Sequence, residues 1–206
     1  MGLFVSFEGP DGSGKTTLTK YISEYFEAKD TPVLLTREPG GISIAEKIRE
    51  IVLDPNHKEM DDRTEALLYA ASRRQHIVEK IKPALEDGKL VLCDRFVDSS
   101  LAYQGYARGI GIEEVWNMNL FAIESFLPNV TIFIDIDPIV GLNRTSQRGA
   151  KDRLELAGEL FHQKVYEGYK EVIGRFPDRI KVIDGNRTVE EIAKDAIEII
   201  EGILND

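Results

Sequence analysis

The stretch Gly9-Pro10-Asp11-Gly12-Ser13-Gly14-Lys15-Thr16 constrains this chain more than any other. It stands between an apolar run, Leu3–Phe7, and a segment from Thr17 to Phe26 that reads as a helix. A GxxxxGK[ST] pattern in that context is a phosphate-binding loop. Gly12 and Gly14 let the backbone curl so that successive N–H groups point inward. The helix N-terminus adds partial positive charge. Lys15 is placed to reach β- and γ-phosphates, and the Thr16 hydroxyl to bind Mg²⁺. Gly9, Pro10, Asp11, Gly12, Ser13, Gly14, Lys15, Thr16 and Thr17 thus form a predicted nucleoside-triphosphate cradle. Asp11 runs against the motif, because a carboxylate facing the phosphates would be repelled. Its side chain is expected to point out of the cradle, toward an acceptor.

Five apolar runs recur, at Leu3–Phe7, Pro32–Thr36, Leu90–Asp94, Thr131–Ile136 and Ile180–Asp184, with helix-like stretches between them. Near-continuous apolar strands alternating with helices predict an α/β fold: a three-layer, five-stranded parallel sheet flanked by helices. The 206 residues suit a single domain spanning 1–206. Between Asp62 and Lys82, Leu67, Ala71, Arg74, Val78 and Ile81 share one mostly apolar stripe, and Tyr69, Arg73, His76 and Lys80 share another. Pro83 should end or kink that helix. Asp137-Pro138 reads as a helix start, and Thr188 with Glu191 as a capping box before a helix whose apolar face is Val189, Ile192, Ala196, Ile199 and Ile203. The single cysteine, Cys93, lies in an apolar run and reads as a buried core residue. No apolar run is long enough to span a bilayer, and the first residues lack a signal-peptide layout, so a cytoplasmic location with no membrane partner is expected. The formal net charge of −10 argues against a protein that grips nucleic-acid backbones.

The cradle alone does not define the reaction, since GTPase switches, ATPase motors and small-molecule kinases all use it. A guanine-reading Asn-Lys-x-Asp is missing; Asp184–Thr188, "DGNRT", comes nearest and lacks the lysine. A motor needs an activating partner or a repeated domain, for which the length leaves little room. A kinase needs a second anion site and a mobile cationic lid, and both have candidates. Arg37 stands at a strand end, where open α/β sheets bind ligands, and Arg49 lies in the following helix. Asp94-Arg95 ends the third strand, pairing an acid able to hold Mg²⁺ through water with a phosphate clamp. Asp135 is a rival acid without an adjacent arginine. The polar segment "RTSQRGAKDR" offers Arg144, Arg148, Lys151 and Arg153 as a short lid over about 144–153.

Taken together, "FEGPDGSGKTT", "TREPGG", "RTEALLYAASRRQH", "CDRFVDSSLAYQG" and "RGAKDRLE" resemble, in order and spacing, the motifs of the thymidylate kinase family. The resemblance covers nearly the whole chain, and is to the bacterial branch that carries its catalytic arginine in the lid. It implies conversion of dTMP and ATP to dTDP and ADP in dTTP biosynthesis, by in-line transfer with Mg²⁺ held by Thr16 and Asp94. Lys15, Arg95, Arg148 and Arg153 are then the implied catalytic residues. Arg73 and Gln104 are implied to hydrogen-bond the thymine, with Ser99 and Ser100 lining its site, Tyr69 stacked on the base and Tyr103 beneath the sugar. Arg95 and Arg49 hold the acceptor phosphate, with Arg37 near it; Glu38-Pro39 is a candidate cis peptide; Asp11 accepts from the 3′-OH. Arg144, Asn186 and Arg187 are adenine-site candidates by position. The family is homodimeric, and Val115–Leu127, "VWNMNLFAIESFL", is apolar enough to join an interface or the core.

Overall fold

The computed structural model describes residues 2–124, 126–145 and 152–205. Strand β1 (Phe4–Glu8) feeds the glycine-rich loop and helix α1 (Lys15–Glu27). β2 (Val33–Arg37) leads into α2 (Ser43–Leu53) and α3 (Asp62–His76), and α3 continues through a π turn, Ile77–Ile81, into α4 (Lys82–Glu86). After β3 (Leu90–Asp94), α5 (Val97–Ser100) passes into a second π segment, Leu101–Ala107, followed by α6 (Ile112–Ile123). β4 (Val130–Asp135), α7 (Pro138–Thr145), α8 (Glu159–Arg175), β5 (Ile180–Asp184) and α9 (Val189–Asn205) complete the chain.

The five strands lie in the order β2-β3-β1-β4-β5, and every pairing is parallel, as the apolar runs predict. The chain first leaves β1 toward β2 and β3, and later crosses to β4 and β5. The sheet therefore changes direction at the carboxyl end of β1, where open α/β sheets bind ligands. On one face, Val5, Phe7 and Ile132 pack with Leu18, Ile22 and Phe26 of α1 and with Ile192, Ala196 and Ile200 of α9. On the other, Phe4, Val91 and Phe96 pack with Ile77 and Ile81, and Phe133 joins Tyr103 and Tyr169. Cys93 is buried as expected.

Caps are where the sequence places them. Asp137 accepts from the Ile139 N–H at 2.7 Å. Thr188 and Glu191 exchange the bonds of a capping box, Thr188 N–H to Glu191 at 3.0 Å and Glu191 N–H to Thr188 at 3.3 Å. Pro83 does not stop its helix. The π turn before it already shifts the bonding ladder, with Lys82 N–H reaching Ile77 O, and the missing proline N–H falls at the start of α4.

The two stripes are covered differently along their length. Leu67, 58% exposed, Ala71 and Val78 face outward although Ile81 of the same stripe is buried, while Tyr69, Arg73 and His76 are buried with Glu65. Periodicity locates a face but does not say which face is covered. Here the polar stripe turns inward, and Tyr69 and Arg73 line a cleft.

Candidate active site

One cleft, about 310 Å³ in volume, runs from the glycine-rich loop to the buried face of α3. Gly12, Gly14, Lys15, Thr16 and Thr17 line one end, and Tyr69, Arg73, Ser100 and Gln104 the other, with Asp11, Arg95 and Tyr103 between them. Gly12, at φ +76°, lies so close to α7 that a Cβ there would stand 2.1 Å from the Gly141 carbonyl oxygen. This close approach welds the loop to α7, and Gly141 is a residue that the motif does not reveal.

Lys15 folds over the loop, donating to Gly9 O at 3.0 Å, Pro10 O at 2.9 Å and Ser13 Oγ at 3.1 Å. Burial and the Arg95 charge push its pKa down to about 8 against Asp94, Asp11 and Glu8. Thr16 donates to Asp94 Oδ2 at 2.6 Å, so the two predicted metal-holding residues stand together. Asp135, the rival, instead accepts from Tyr166 at 2.7 Å. The Asp11 carboxylate turns away from the cradle. It pairs with Arg95 Nη2, accepts from Tyr103 Oη at 3.0 Å and lies 3.6 Å from His162 Nδ1. Burial opposes its charge, but Arg95, Lys15 and His162 outweigh that and hold the carboxyl below the usual range.

Arg95 follows β3 with a left-handed backbone, φ +70°, a costly conformation for a residue with a Cβ. Its N–H bonds to Phe7 O at 2.9 Å. The guanidinium also meets Ser99 Oγ at 3.0 Å, Tyr169 Oη at 2.9 Å and Tyr103 Oη at 3.3 Å. Arg37 lies on the cleft wall but is drawn aside by Glu46, at 2.9 and 3.0 Å, and by Pro39 O at 2.8 Å. Arg49 also donates to Pro39 O, at 3.0 Å, and the Glu38-Pro39 peptide is cis.

At the far end Arg73, 2% exposed, is held from four sides. It donates to Glu38 Oε2 at 2.8 Å, Phe96 O at 3.1 Å and Ser100 Oγ at 3.1 and 3.2 Å, and it bonds Asn119 Oδ1. Glu38 also accepts from His76 Nδ1 at 3.0 Å, and His76 Nε2 meets Thr36 Oγ1 at 2.8 Å. Gln104 donates to the buried Glu65 at 2.8 Å. The structure thus brings together Asp11, Arg37, Glu38, Pro39, Arg49, Tyr69, Arg73, Asp94, Arg95, Ser99, Ser100, Tyr103 and Gln104 on one cleft wall.

Other expected residues stand elsewhere. Arg153 is not at the cradle: it donates to Val52 O at 2.9 Å and pairs with Glu65, because that fully buried carboxylate needs cations. Asn186 and Arg187 sit in an exposed turn tied to Asp184 and Asp195, outside the cleft lining. Arg144 is exposed at the loop rim, 3.5 Å from Gly12 O. Arg148 and Lys151 lie outside the described residues. Glu8, Glu65, His76, Asn119, His162 and Tyr169 were not foreseen. Only Glu8 carries a signal, as a lone carboxylate ending an otherwise uncharged strand.

The chain matches the family model described as thymidylate kinase over residues 7–196. It is 56% identical to a thymidylate kinase of Bacillus licheniformis over 207 aligned positions, covering 100% of this chain and 98% of that protein. It is 57% identical to one from a Geobacillus species, covering 93% of this chain and 92% of that protein. The crystal structure of thymidylate kinase from Ehrlichia chaffeensis superposes with a TM-score of 0.78 at 32% identity, covering 97% of this chain and 98% of that one. The cleft that joins the glycine-rich loop to the buried face of α3 is thus carried by a chain that belongs to the thymidylate kinase family, enzymes that phosphorylate dTMP to dTDP.

Proposed function

We propose that both substrates occupy the one cleft, with the ATP phosphates in the loop from Gly9 to Thr17 and dTMP across its mouth. The observation that carries this reading is the cleft's continuity: Lys15 and Thr16 line the same cleft as Tyr69, Arg73 and Gln104, and Arg95 stands between. Thymine stacks on Tyr69 and is read by Arg73 and Gln104, with Ser99 and Ser100 behind. The 5′-phosphate lies between Arg95 and Arg49, near Arg37, and the 3′-OH donates to Asp11. Tyr103 lies under the sugar, where a ribose 2′-OH would clash.

The chain's work is positioning and charge stabilisation for in-line transfer, with no general base, because a phosphate acceptor at neutral pH is already anionic. Thr16 Oγ1 and Asp94 Oδ2 are hard oxygen donors 2.6 Å apart at the loop, a pair that suits Mg²⁺. Bound with ATP, the ion supplies neutralisation of phosphate charge. Arg148 is the lid cation of this reading, with Arg144 at the adenine end. A catalytic role for Arg153 requires it to release Glu65; held as it is, it anchors the chain after the lid. The chain works as one domain, residues 1–206, in the cytoplasm, supplying dTDP for dTTP synthesis without nucleic-acid or membrane partners. Among the described residues no helix is long and apolar enough to cross a membrane. Two copies pair through α3 and α6, which pack on each other and expose Leu67, Leu120 and Phe121.

A coupled assay of ADP release with a panel of nucleoside monophosphates tests the reading. dTMP is expected to give the highest kcat/KM, and the ribose analogue to fall by about tenfold or more through the sugar clash. Equal turnover of ribose and deoxyribose acceptors removes Tyr103 from its role, and no turnover of dTMP overturns the reading.

A further inference from the structure

Glu8 ends β1 directly behind the cleft and is fully buried. One oxygen, Oε1, accepts from the backbone N–H of Phe96 at 2.7 Å and of Ser99 at 3.3 Å. The other, Oε2, faces two hydroxyls, Ser99 Oγ at 2.6 Å and Tyr169 Oη at 2.9 Å. Those same two oxygens receive Arg95 Nη1, at 3.0 and 2.9 Å, and lie 2.9 Å from each other. Each hydroxyl has one proton, and the proton decides what the oxygen offers Arg95. An ionised carboxylate is acceptor-only, so it draws both protons toward itself. Both oxygens then turn lone pairs to the guanidinium. A neutral Glu8 must itself donate through Oε2, since Oε1 is committed to backbone N–H groups, and the triangle then cannot keep both hydroxyls in that orientation.

We infer that Glu8 is a positioning residue for the acceptor phosphate: its carboxylate orients the hydroxyls of Ser99 and Tyr169, and these hold Arg95 aimed into the cleft. The inference rests on the reading of Arg95 as the phosphate clamp, and it assigns that clamp a buried switch. The switch is set near neutrality. Burial, with Asp98 adding to it, pushes the Glu8 carboxyl up to about 7, while Arg95, Ser99 and the Phe96 N–H pull it down. Tyr169, Lys15, Arg179 and Cys93 are further titratable groups that feel its charge.

The test is calorimetric binding of dTMP and of thymidine, which lacks the phosphate, to the whole protein. Glu8→Gln is expected to weaken dTMP by about tenfold or more, the scale of a charge-assisted contact, and to leave thymidine unchanged. Because dTMP titrates too, the informative quantity is the wild-type to Glu8→Gln affinity ratio. It should rise from near one at pH 6 to its full value at pH 8.5. In a Ser99→Ala, Tyr169→Phe background the same Glu8 substitution should cost little more, because the intermediaries are gone. Tyr169→Phe alone serves if Glu8→Gln fails to fold: it should itself lose dTMP affinity and keep thymidine affinity. Equal weakening of dTMP and thymidine, a ratio independent of pH, or a full Glu8 effect without the two hydroxyls each overturns the inference. Arg95→Ala separates the two ideas: if it binds dTMP as well as wild type does, the clamp reading fails, whatever Glu8 does.

Discussion

Lys15 is a cation that its own surroundings discourage. Buried against carbonyl oxygens and near Arg95, it holds its proton only up to about pH 8. Phosphate oxygens brought to its Nζ favour the charged form, so nucleotide binding raises that pKa again. The sign follows: below about pH 7 the proton is already present, and above 8 it must be taken up on binding. Binding of a non-hydrolysable ATP analogue should therefore weaken as pH rises from 7 to 9.5, and calorimetry in buffers of different ionisation heat should show proton uptake at pH 8.5 and almost none at 6.5. Absence of uptake at both values removes Lys15 as the titrating group. At this scale the sequence was legible where a local motif sets position, as where Lys15, Thr16 and Asp94 come together in the cleft. It was not legible where a partner arrives from far along the chain. Tyr169 reaches Glu8 across 161 positions and Arg153 reaches Glu65 across 88, and no spacing rule connects such pairs.

Among the elements, α3 shows how far pattern reading goes. Its start, its length and its two stripes were legible; its polarity was not, because an apolar stripe turned outward and a polar one turned inward satisfy the same periodicity. What makes the inward stripe tolerable is the pairing of Arg73 and His76. Arg73, Glu38, His76 and Thr36 form a buried chain in which Glu38 accepts from both neighbours, at 2.8 and 3.0 Å, and His76 spends its second nitrogen on Thr36 at 2.8 Å. A partly satisfied network of this kind is worse than an apolar one. His76→Leu leaves Glu38 one donor short and orphans the Thr36 hydroxyl, at a cost of about 1–3 kcal/mol. Urea denaturation should show that loss. His76→Asn, whose amide can donate from near the Nδ1 position, should recover part of it. If the leucine variant is as stable as wild type, the chain from Thr36 to Arg73 is not under energetic tension and His76 only fills space.

At the scale of the whole molecule, five strands, their parallel pairing and the helices between them followed from apolar runs and capping residues, each strand within one residue of its expected position. The outer surface followed less well, since a sequence shows that "VWNMNLFAIESFL" is apolar without showing which side chains the core takes. The fold divides that segment: Val115, Asn119, Ala122 and Ile123 go inward, while Leu120 is left partly open and Phe121 is 91% exposed. Leu67 of α3, which packs on α6, is exposed too, as are Ile44 and Ile51 of α2, which packs on α3. A stable pair of chains buries roughly 800 Å² on each partner, with aromatic anchors near the centre of the patch. Phe121 has the exposure to be such an anchor. Because it makes little contact within its own chain, Phe121→Asp should leave the unfolding transition almost unchanged while converting the proposed dimer to a monomer in light scattering. Charge adds an independent signature. Each copy carries a formal −10, so two copies repel at low ionic strength, and salt screens that repulsion without weakening apolar contact. Dimerisation should thus tighten between about 20 and 200 mM salt, a range over which the screening length falls to under 10 Å. An assembly held by ion pairs would loosen over the same range, and a Phe121→Asp variant that stays dimeric would place the contact on a different face.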